Sequence, residues 1–81
     1  LPNIVKRYEL ALDAFTQAVT IDPEYFYGQI GKGVILVNLG RYQEAIPVLT
    51  KAATLSPTHT TPQSYLSKAY QSLGNIKKAY E

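Results

Sequence analysis

The strongest constraint on this chain is that it resembles itself after a shift of 34 residues. Under that shift 47 pairs of its 81 residues align and 11 of those pairs are identical, where average residue usage would give roughly three. The identical pairs include Arg7-Tyr8 with Arg41-Tyr42, Ala11 with Ala45, Pro23 with Pro57 and Leu39-Gly40 with Leu73-Gly74. A period of this length predicts a repeat architecture, in which one small unit of secondary structure is stacked several times.

Each period contains two segments in which apolar residues recur with helical spacing. The segment RYQEAIPVLTKAATLSP repeats the pattern of RYELALDAFTQAVTIDP, and a proline stops each of them. Gly40 and Gly74 end the other kind of segment, in the role of glycine at a helix C-terminus. Thr61-Pro62 has the form of an N-cap followed by a proline in the first turn. The helices predicted from these signals cover about 7–23, 24–39, 41–57 and 62–73, and another begins after Gly74.

Three places depart from the simple pattern. No glycine turn precedes Tyr8, so either a first helix is missing before it or the opening helix begins early, near Asn3. Pro47 lies near the first turns of a predicted helix and lacks a backbone donor, so we expect a mild kink rather than a break. The β-branched run from Val34 to Val37 has some strand character, but the repeat register favours a helix there.

The stretch GQIGKG raises the alternative of a phosphate-binding loop. Gly28 and Gly33 have the spacing of a P-loop, but that motif needs Lys and then Ser or Thr after the last glycine. Here Lys32 precedes the last glycine, and Val34 and Ile35 follow it. The shift of 34 residues places the stretch inside a helix, so we predict that it is not a phosphate site.

The composition argues against several classes of function. Eight basic and six acidic residues give a net charge of +2, which is no field for a nucleic acid. The chain has no cysteine, so it has no disulfide framework, thiol chemistry or cysteine metal site. No apolar run approaches ~18 residues, which predicts no membrane insertion. Because it starts with Leu1-Pro2 and lacks methionine, we expect it to be a piece of a longer protein.

Small and large residues stand at fixed places in the predicted helices. The recurring sets are Ala11-x-x-x-Phe15 followed by Pro23, Ala45-x-x-x-Leu49 followed by Pro57, and Leu66-Ser67-x-x-Tyr70 in the last segment. Together with the period and its two helices, these sets resemble the tetratricopeptide repeat family over nearly the whole chain. Gln29 and Gln63 stand where the family signature has tryptophan, which is a departure from it.

The resemblance implies an all-α fold of antiparallel helix hairpins stacked as a right-handed superhelix, with about two to two-and-a-half repeats. It divides the chain into a second helix of a partial repeat, a complete repeat and another partial repeat, at residues 1–23, 24–57 and 58–81. Gly33 and Ser67 share the slot for a small residue, where paired helices come closest. The pattern gives no such reason for Gly28 or Gly31.

Aromatic residues also receive an interpretation from the resemblance. Seven tyrosines could suggest a platform on which bases stack, but three of them match packing slots of the repeat. We therefore expect Tyr8, Tyr42 and Tyr70 to lie in the core.

In proteins of this family the first helices line a concave groove that holds a partner peptide. The resemblance therefore implies a non-enzymatic interaction scaffold whose partner is a protein or peptide. The matching positions are Tyr27, Ile30, Val34, Val37 and Asn38 in the full repeat, and Thr61, Ser64, Lys68, Gln71 and Ser72 in the next. Spacings of three and four residues place each set on one helix face.

The first helix of the full repeat is apolar on both sides, so something covers each side. A partner peptide with apolar anchors and a polar or acidic end near Lys68 is one alternative. Neighbouring repeats, another segment of the chain or a second copy, which would make a homo-oligomer, are others. In a further alternative, the repeats target an enzyme within the same polypeptide. One class of the family clamps a C-terminal carboxylate with several polar and basic residues. Because Ile30 and Val34 replace such residues, we predict that this chain is not a clamp.

The sequence offers no catalytic or cofactor site. His59 is the one histidine and lies in the turn SPTHTTP. Glu9 and Asp13 are one helical turn apart, but nothing places a second functional group opposite them. No cluster has the spacing of metal ligands. We therefore predict no enzymatic activity, no cofactor and no bound metal.

Overall fold

The computed structural model describes residues 2–80, and every regular element in that range is an α-helix. The helices are α1 (Pro2–Ile21), α2 (Phe26–Asn38), α3 (Tyr42–Leu55) and α4 (Thr61–Ala79). The predicted all-α fold is confirmed, and the β-branched run of α2 is helical. The opening helix begins early, at Pro2, which settles the alternative left by the sequence.

The turn between α2 and α3 follows the predicted role of Gly40. This glycine has φ +78°, a left-handed conformation that only glycine adopts without strain. Its amide donates to the carbonyl of Val37, and the amide of Arg41 donates to the carbonyl of Leu36. These two bonds form a Schellman motif, which satisfies the last carbonyls of α2 and reverses the chain.

Helix α4 departs from the prediction. Gly74 does not end it, because α4 continues from Thr61 to Ala79 as one helix of 19 residues. A glycine within a helix costs only about 1 kcal/mol relative to alanine, and continuing the helix adds backbone hydrogen bonds. The N-cap also lies one residue earlier than predicted, at Thr60, and its side chain makes no capping bond.

Prolines punctuate the second helices as the repeat predicts. α1 ends two residues before Pro23 and α3 ends two residues before Pro57. Pro47 lies inside α3 and does not interrupt it, in agreement with the expectation that it would not break the helix.

The core is built around the pairing of α2 with α3. Leu49 of α3 is 0% exposed, as are Ala45 and Ala52 one helical turn to either side. A Cβ atom on Gly33 would lie 2.6 Å from Cγ of Leu49, so the backbone of α2 and this leucine occupy adjoining space. The predicted small-residue slot at Gly33 is thereby explained by direct contact.

The other two glycines of α2 also have packing reasons, which corrects the sequence interpretation. A Cβ on Gly31 would lie 2.5 Å from Cε1 of Phe15, and a Cβ on Gly28 would lie 3.0 Å from Cγ1 of Val19. Phe15 and Val19 belong to α1. The three glycines therefore let α2 approach α3 on one side and α1 on the other.

The helices form a slab in which α2 is central. α2 contacts α1, α3 and α4, α3 also contacts α4, and within residues 2–80 α1 contacts α2 alone. The Cα atoms extend over 40 × 33 × 17 Å, and the shortest dimension corresponds to two layers of packed helices. α2 and α4 therefore lie side by side, with α3 packed against both.

Candidate functional site

The accessible face of α2 forms a narrow stripe on a helix that is otherwise mostly covered. Tyr27 is 61% exposed, Ile30 and Val34 are half-buried, and Asn38 is exposed. These positions recur with the spacing of one helix face. Four of the five residues predicted for the groove on α2 thus reach the surface together, and we call these four residues the α2 stripe.

Val37 does not belong to this stripe, and its prediction as a groove residue is wrong. It is 2% exposed and belongs to the buried cluster that also contains Ala69 of α4. At 3.6 residues per turn, Val37 lies about 60° round the helix from Val34. That rotation turns it towards the neighbouring helices, where the contact between α2 and α4 closes over it.

The predicted residues on α4 form a second accessible row. Thr61, Ser64, Lys68 and Gln71 are exposed, and Ser72 is half-buried. We call the four exposed residues the α4 row. Ser64 and Lys68, together with Tyr65, line a shallow depression of about 250 Å³.

Rings join the two surfaces at one end. The ring centroids of Tyr27 and His59 are 6.3 Å apart, and those of Phe26 and His59 are 4.6 Å apart. His59 is also bonded through Nδ1 to Oγ of Ser56, at 2.7 Å. This contact brings the loop before α4 against the start of α2, and so fixes the end of the α2 stripe beside the start of the α4 row.

Electrostatics place a single cation in the α4 row. The ion pairs formed within residues 2–80 are Arg41 with Glu44 and Lys51 with Glu24, so Lys68 takes part in neither. The α2 stripe carries no charge. The combined surface is therefore apolar on one side and polar with one positive charge on the other.

The Arg41–Glu44 pair lies away from this surface, at the start of α3. The hydrogen bond from the guanidinium lowers the pKa of the Glu44 carboxyl, and the same bond raises the pKa of Arg41. Both side chains also line a depression of about 260 Å³ between α1 and α3, whose floor is Leu36. Both groups are exposed, so this pair is a local feature of the turn and not a candidate site.

Chemistry of other kinds finds no assembled site in the described part of the chain. Between residues 2 and 80, no group of three or more acidic or histidine side chains is placed to hold a metal ion. No helix in that range combines the length and the apolar character that crossing a membrane requires.

Comparison with known proteins decides the family. A family model described as tetratricopeptide repeat matches residues 36–81, and a second model with the same description matches residues 5–25. The first match covers more than half of the chain. The chain belongs to the tetratricopeptide repeat family. Residues 26–35, the glycine-rich part of α2, lie in neither match, which agrees with the departures from the signature seen in the sequence.

Two curated relatives place the repeat within longer proteins. The chain is 37% identical to the DnaJ homolog subfamily C member 7 homolog of Dictyostelium discoideum, over 79% of this chain and 12% of that protein. It is 31% identical to Protein DIA2 of Eremothecium gossypii, over 91% of this chain and 12% of that protein. The chain thus spans about an eighth of the length of these relatives. No solved structure matches it significantly.

Membership has a general consequence for function. Tetratricopeptide repeats mediate protein–protein interactions and are typically non-enzymatic. The fold alone does not select a partner, because binding depends on the side chains that a particular surface displays.

Proposed function

We propose that this chain is a non-catalytic scaffold that binds an extended peptide along the groove between the α2 stripe and the α4 row. The observation that carries the proposal is the α2 stripe itself. Tyr27, Ile30 and Val34 are accessible on the central helix of the fold, where the remaining apolar residues are covered. Apolar residues that share one face of a helix lower the free energy when a partner covers them.

The chemistry of the two surfaces defines the peptide. Leucine-like side chains would pack on Ile30 and Val34, and the polar α4 row would contact the peptide backbone. An acidic side chain would lie near Lys68, the one cation of that row. The ring of Tyr27 offers a further contact at the end joined to His59, since tyrosine combines an apolar face with a polar tip.

A panel of fluorescein-labelled ten-residue peptides tests the proposal. Each peptide carries two leucines and one glutamate, and a matched panel has asparagine in place of both leucines. Burying one leucine side chain contributes about 1.5–3 kcal/mol, so we expect the matched panel to bind at least about tenfold more weakly in fluorescence anisotropy.

Variants of the protein locate the contact. Val34→Lys should weaken binding of the leucine peptides about tenfold or more, because it places a charge on the apolar stripe. Lys68→Glu should remove the preference for glutamate over glutamine in the peptide. Lys32→Glu is the matched control, since Lys32 lines the depression between α1 and α3 instead, and it should leave the affinity unchanged.

The same panel distinguishes this mode from a carboxylate clamp. If the chain is not a clamp, peptides with a free C-terminal carboxylate and with a C-terminal amide should bind with equal affinity. Micromolar binding that requires the free carboxylate, and that Lys68→Ala abolishes, would overturn this part of the proposal. Equal weakening by Val34→Lys and Lys32→Glu would overturn the placement of the groove.

A further inference from the structure

Equivalent residues of the two second-type helices differ in burial. In α3, Ala45, Leu49 and Ala52 are completely buried. Their counterparts one period earlier in α1 are Ala11, Phe15 and Ala18, and all three are only half-buried. The same pattern of small and large residues therefore packs fully in α3 and incompletely in α1.

The two first-type helices differ in a matching way. Gly33 and Leu36 of α2 are buried, and Leu36 is 2% exposed. Their counterparts in α4 are Ser67, which is exposed, and Tyr70, which is 58% exposed. On α2 this face is covered by α3. On α4 the equivalent face has no helix packed on it among residues 2–80.

We propose that a second copy of this chain supplies the missing contact. In this arrangement α1 of the second copy packs on α4 of the first in the way that α3 packs on α2 within one chain. The two helices together then complete one repeat. The inference does not depend on the peptide groove, because Ser67 and Tyr70 lie on a different face of α4 from the α4 row.

The register of the proposed contact follows from the contact already present. Gly33 adjoins Leu49, so one period on, Ser67 adjoins Phe15 of the second copy. The helices are antiparallel, so each step towards the C-terminus of α4 is a step towards the N-terminus of α1. Ala79 then falls opposite Asn3, and α4 matches α1 along nearly their full lengths of 19 and 20 residues.

Exposed apolar residues occur at the ends that this register brings together. Ile4 and Val5 are exposed in the first turns of α1, and Ile76 and Tyr80 are exposed at the end of α4. The shorter helices α2 and α3 have 13 and 14 residues and lack such extensions. Because Ser67 and Phe15 are larger than Gly33 and Leu49, α4 and the second α1 would pack somewhat farther apart than α2 and α3.

The contact is head-to-tail, which determines the products. Each copy uses its α4 for one neighbour and its α1 for another, so the contact joins two different surfaces. Such an interface generates open chains of copies unless the rotation closes a ring. The protein should therefore form species larger than a dimer as its concentration rises.

Two blocking variants test the inference. Ser67→Arg blocks the α4 face and Ala18→Arg blocks the α1 face, because each would leave a guanidinium buried without a partner. Each variant alone lacks one of the two required surfaces, and sedimentation equilibrium should show self-association at least about tenfold weaker than wild type. Ser64→Arg, the same change on the accessible α4 row, is the matched control and should associate as wild type does.

Mixing the two blocked variants provides the decisive arm. The Ala18→Arg copy retains its α4 face and the Ser67→Arg copy retains its α1 face, so the mixture should form a 1:1 heterodimer and nothing larger. That dimer would also show that both variants fold. Circular dichroism of each variant checks its helix content independently.

Three results would overturn the inference. Wild-type protein that stays monomeric at several hundred micromolar would show that these faces serve a different occupant, such as another segment of the polypeptide. Folded variants that associate as strongly as wild type would place the contact elsewhere. A mixture of the blocked variants that stays monomeric while wild type associates would exclude the pairing of α4 with α1.

Discussion

Glycines are the residues at which sequence and packing most clearly meet in this chain. In α2 they give up helix propensity so that neighbouring side chains can reach the backbone. The cost of about 1 kcal/mol for each glycine relative to alanine is offset by close contact with Leu49, Phe15 and Val19. Gly74 has no neighbour within 4 Å of an added Cβ, so it carries that cost without a packing gain.

Two alanine substitutions should therefore change stability in opposite directions. Gly33→Ala should lower the free energy of unfolding by about 1–3 kcal/mol, because its Cβ would overlap the fully buried Leu49, which has no room to move. Gly74→Ala should raise it by up to about 1 kcal/mol, because alanine favours the helix and meets nothing. Urea unfolding followed by circular dichroism measures both.

The matched design makes the result informative. Both substitutions add the same methyl group to the same kind of helix interior, so propensity alone predicts a gain at both positions. A gain at Gly33 would contradict the close approach of α2 and α3. Gly31→Ala should be intermediate, since Phe15 is half-buried and its ring can shift.

At the scale of elements, the sequence predicted helices better than it predicted their ends. The period of 34 residues located all four helices, because apolar spacing and the proline stops are local properties. Gly40 ends α2 as predicted, since α3 packs against α2 and stabilises the turn. The equivalent Gly74 does not end α4, because no following helix docks there and continuing the helix costs little.

Two further errors have the same origin. Tyr70 was expected in the core, but it is exposed because no helix of the same chain packs over it. Val37 was expected in the groove, but α4 covers it. Packing between helices decided both cases, and sequence spacing specifies a face of a helix without specifying which neighbour covers it. The roles of Gly28 and Gly31 were missed because their partners lie in α1.

The start of α3 has a testable electrostatic contribution. Because the pKa of Glu44 is lowered by its bond to Arg41, the ionised carboxyl stabilises the fold at pH values above the ordinary pKa of glutamate. That contribution is lost as the pH falls through the lowered pKa. Glu44→Gln should therefore unfold at a lower temperature than wild type at pH 7.

The difference should shrink as the pH is lowered. Below the pKa of Glu44 both side chains are neutral, and the melting temperatures of wild type and variant should converge. Arg41 stays charged throughout this range because its pKa is raised. A difference in melting temperature that is constant from pH 7 to pH 2 would show that the effect of the substitution is not electrostatic. Because the pair is exposed, high salt should also reduce the difference.

At the scale of the whole molecule, one arrangement of helices produces two separate surfaces. α2 lies between α1 and α3 and beside α4, so its remaining free face is the narrow α2 stripe next to the α4 row. The outer faces of α1 and α4 are different surfaces, with residues that match the two sides of a repeat. The first surface fits a peptide, and the second fits another copy.

Most of the candidate site could be predicted from the sequence. The repeat register identified which helices share a side and which positions on them face outward, and nine of the ten predicted residues reach the surface at least in part. The sequence could not supply the contact of Tyr27 with His59, which depends on how two loops meet. It also could not identify the partner, since the resemblance concerns the scaffold.

Amide chemical shifts measured during a titration with the leucine-containing peptide test the central claim most directly. If the groove is the binding surface, the largest changes in ¹H–¹⁵N spectra will occur at Tyr27, Ile30 and Val34 and at Ser64 and Lys68, while exposed amides of α1 and α3 stay unchanged. Changes concentrated on α1 or α3, or none at saturating peptide, would contradict the account.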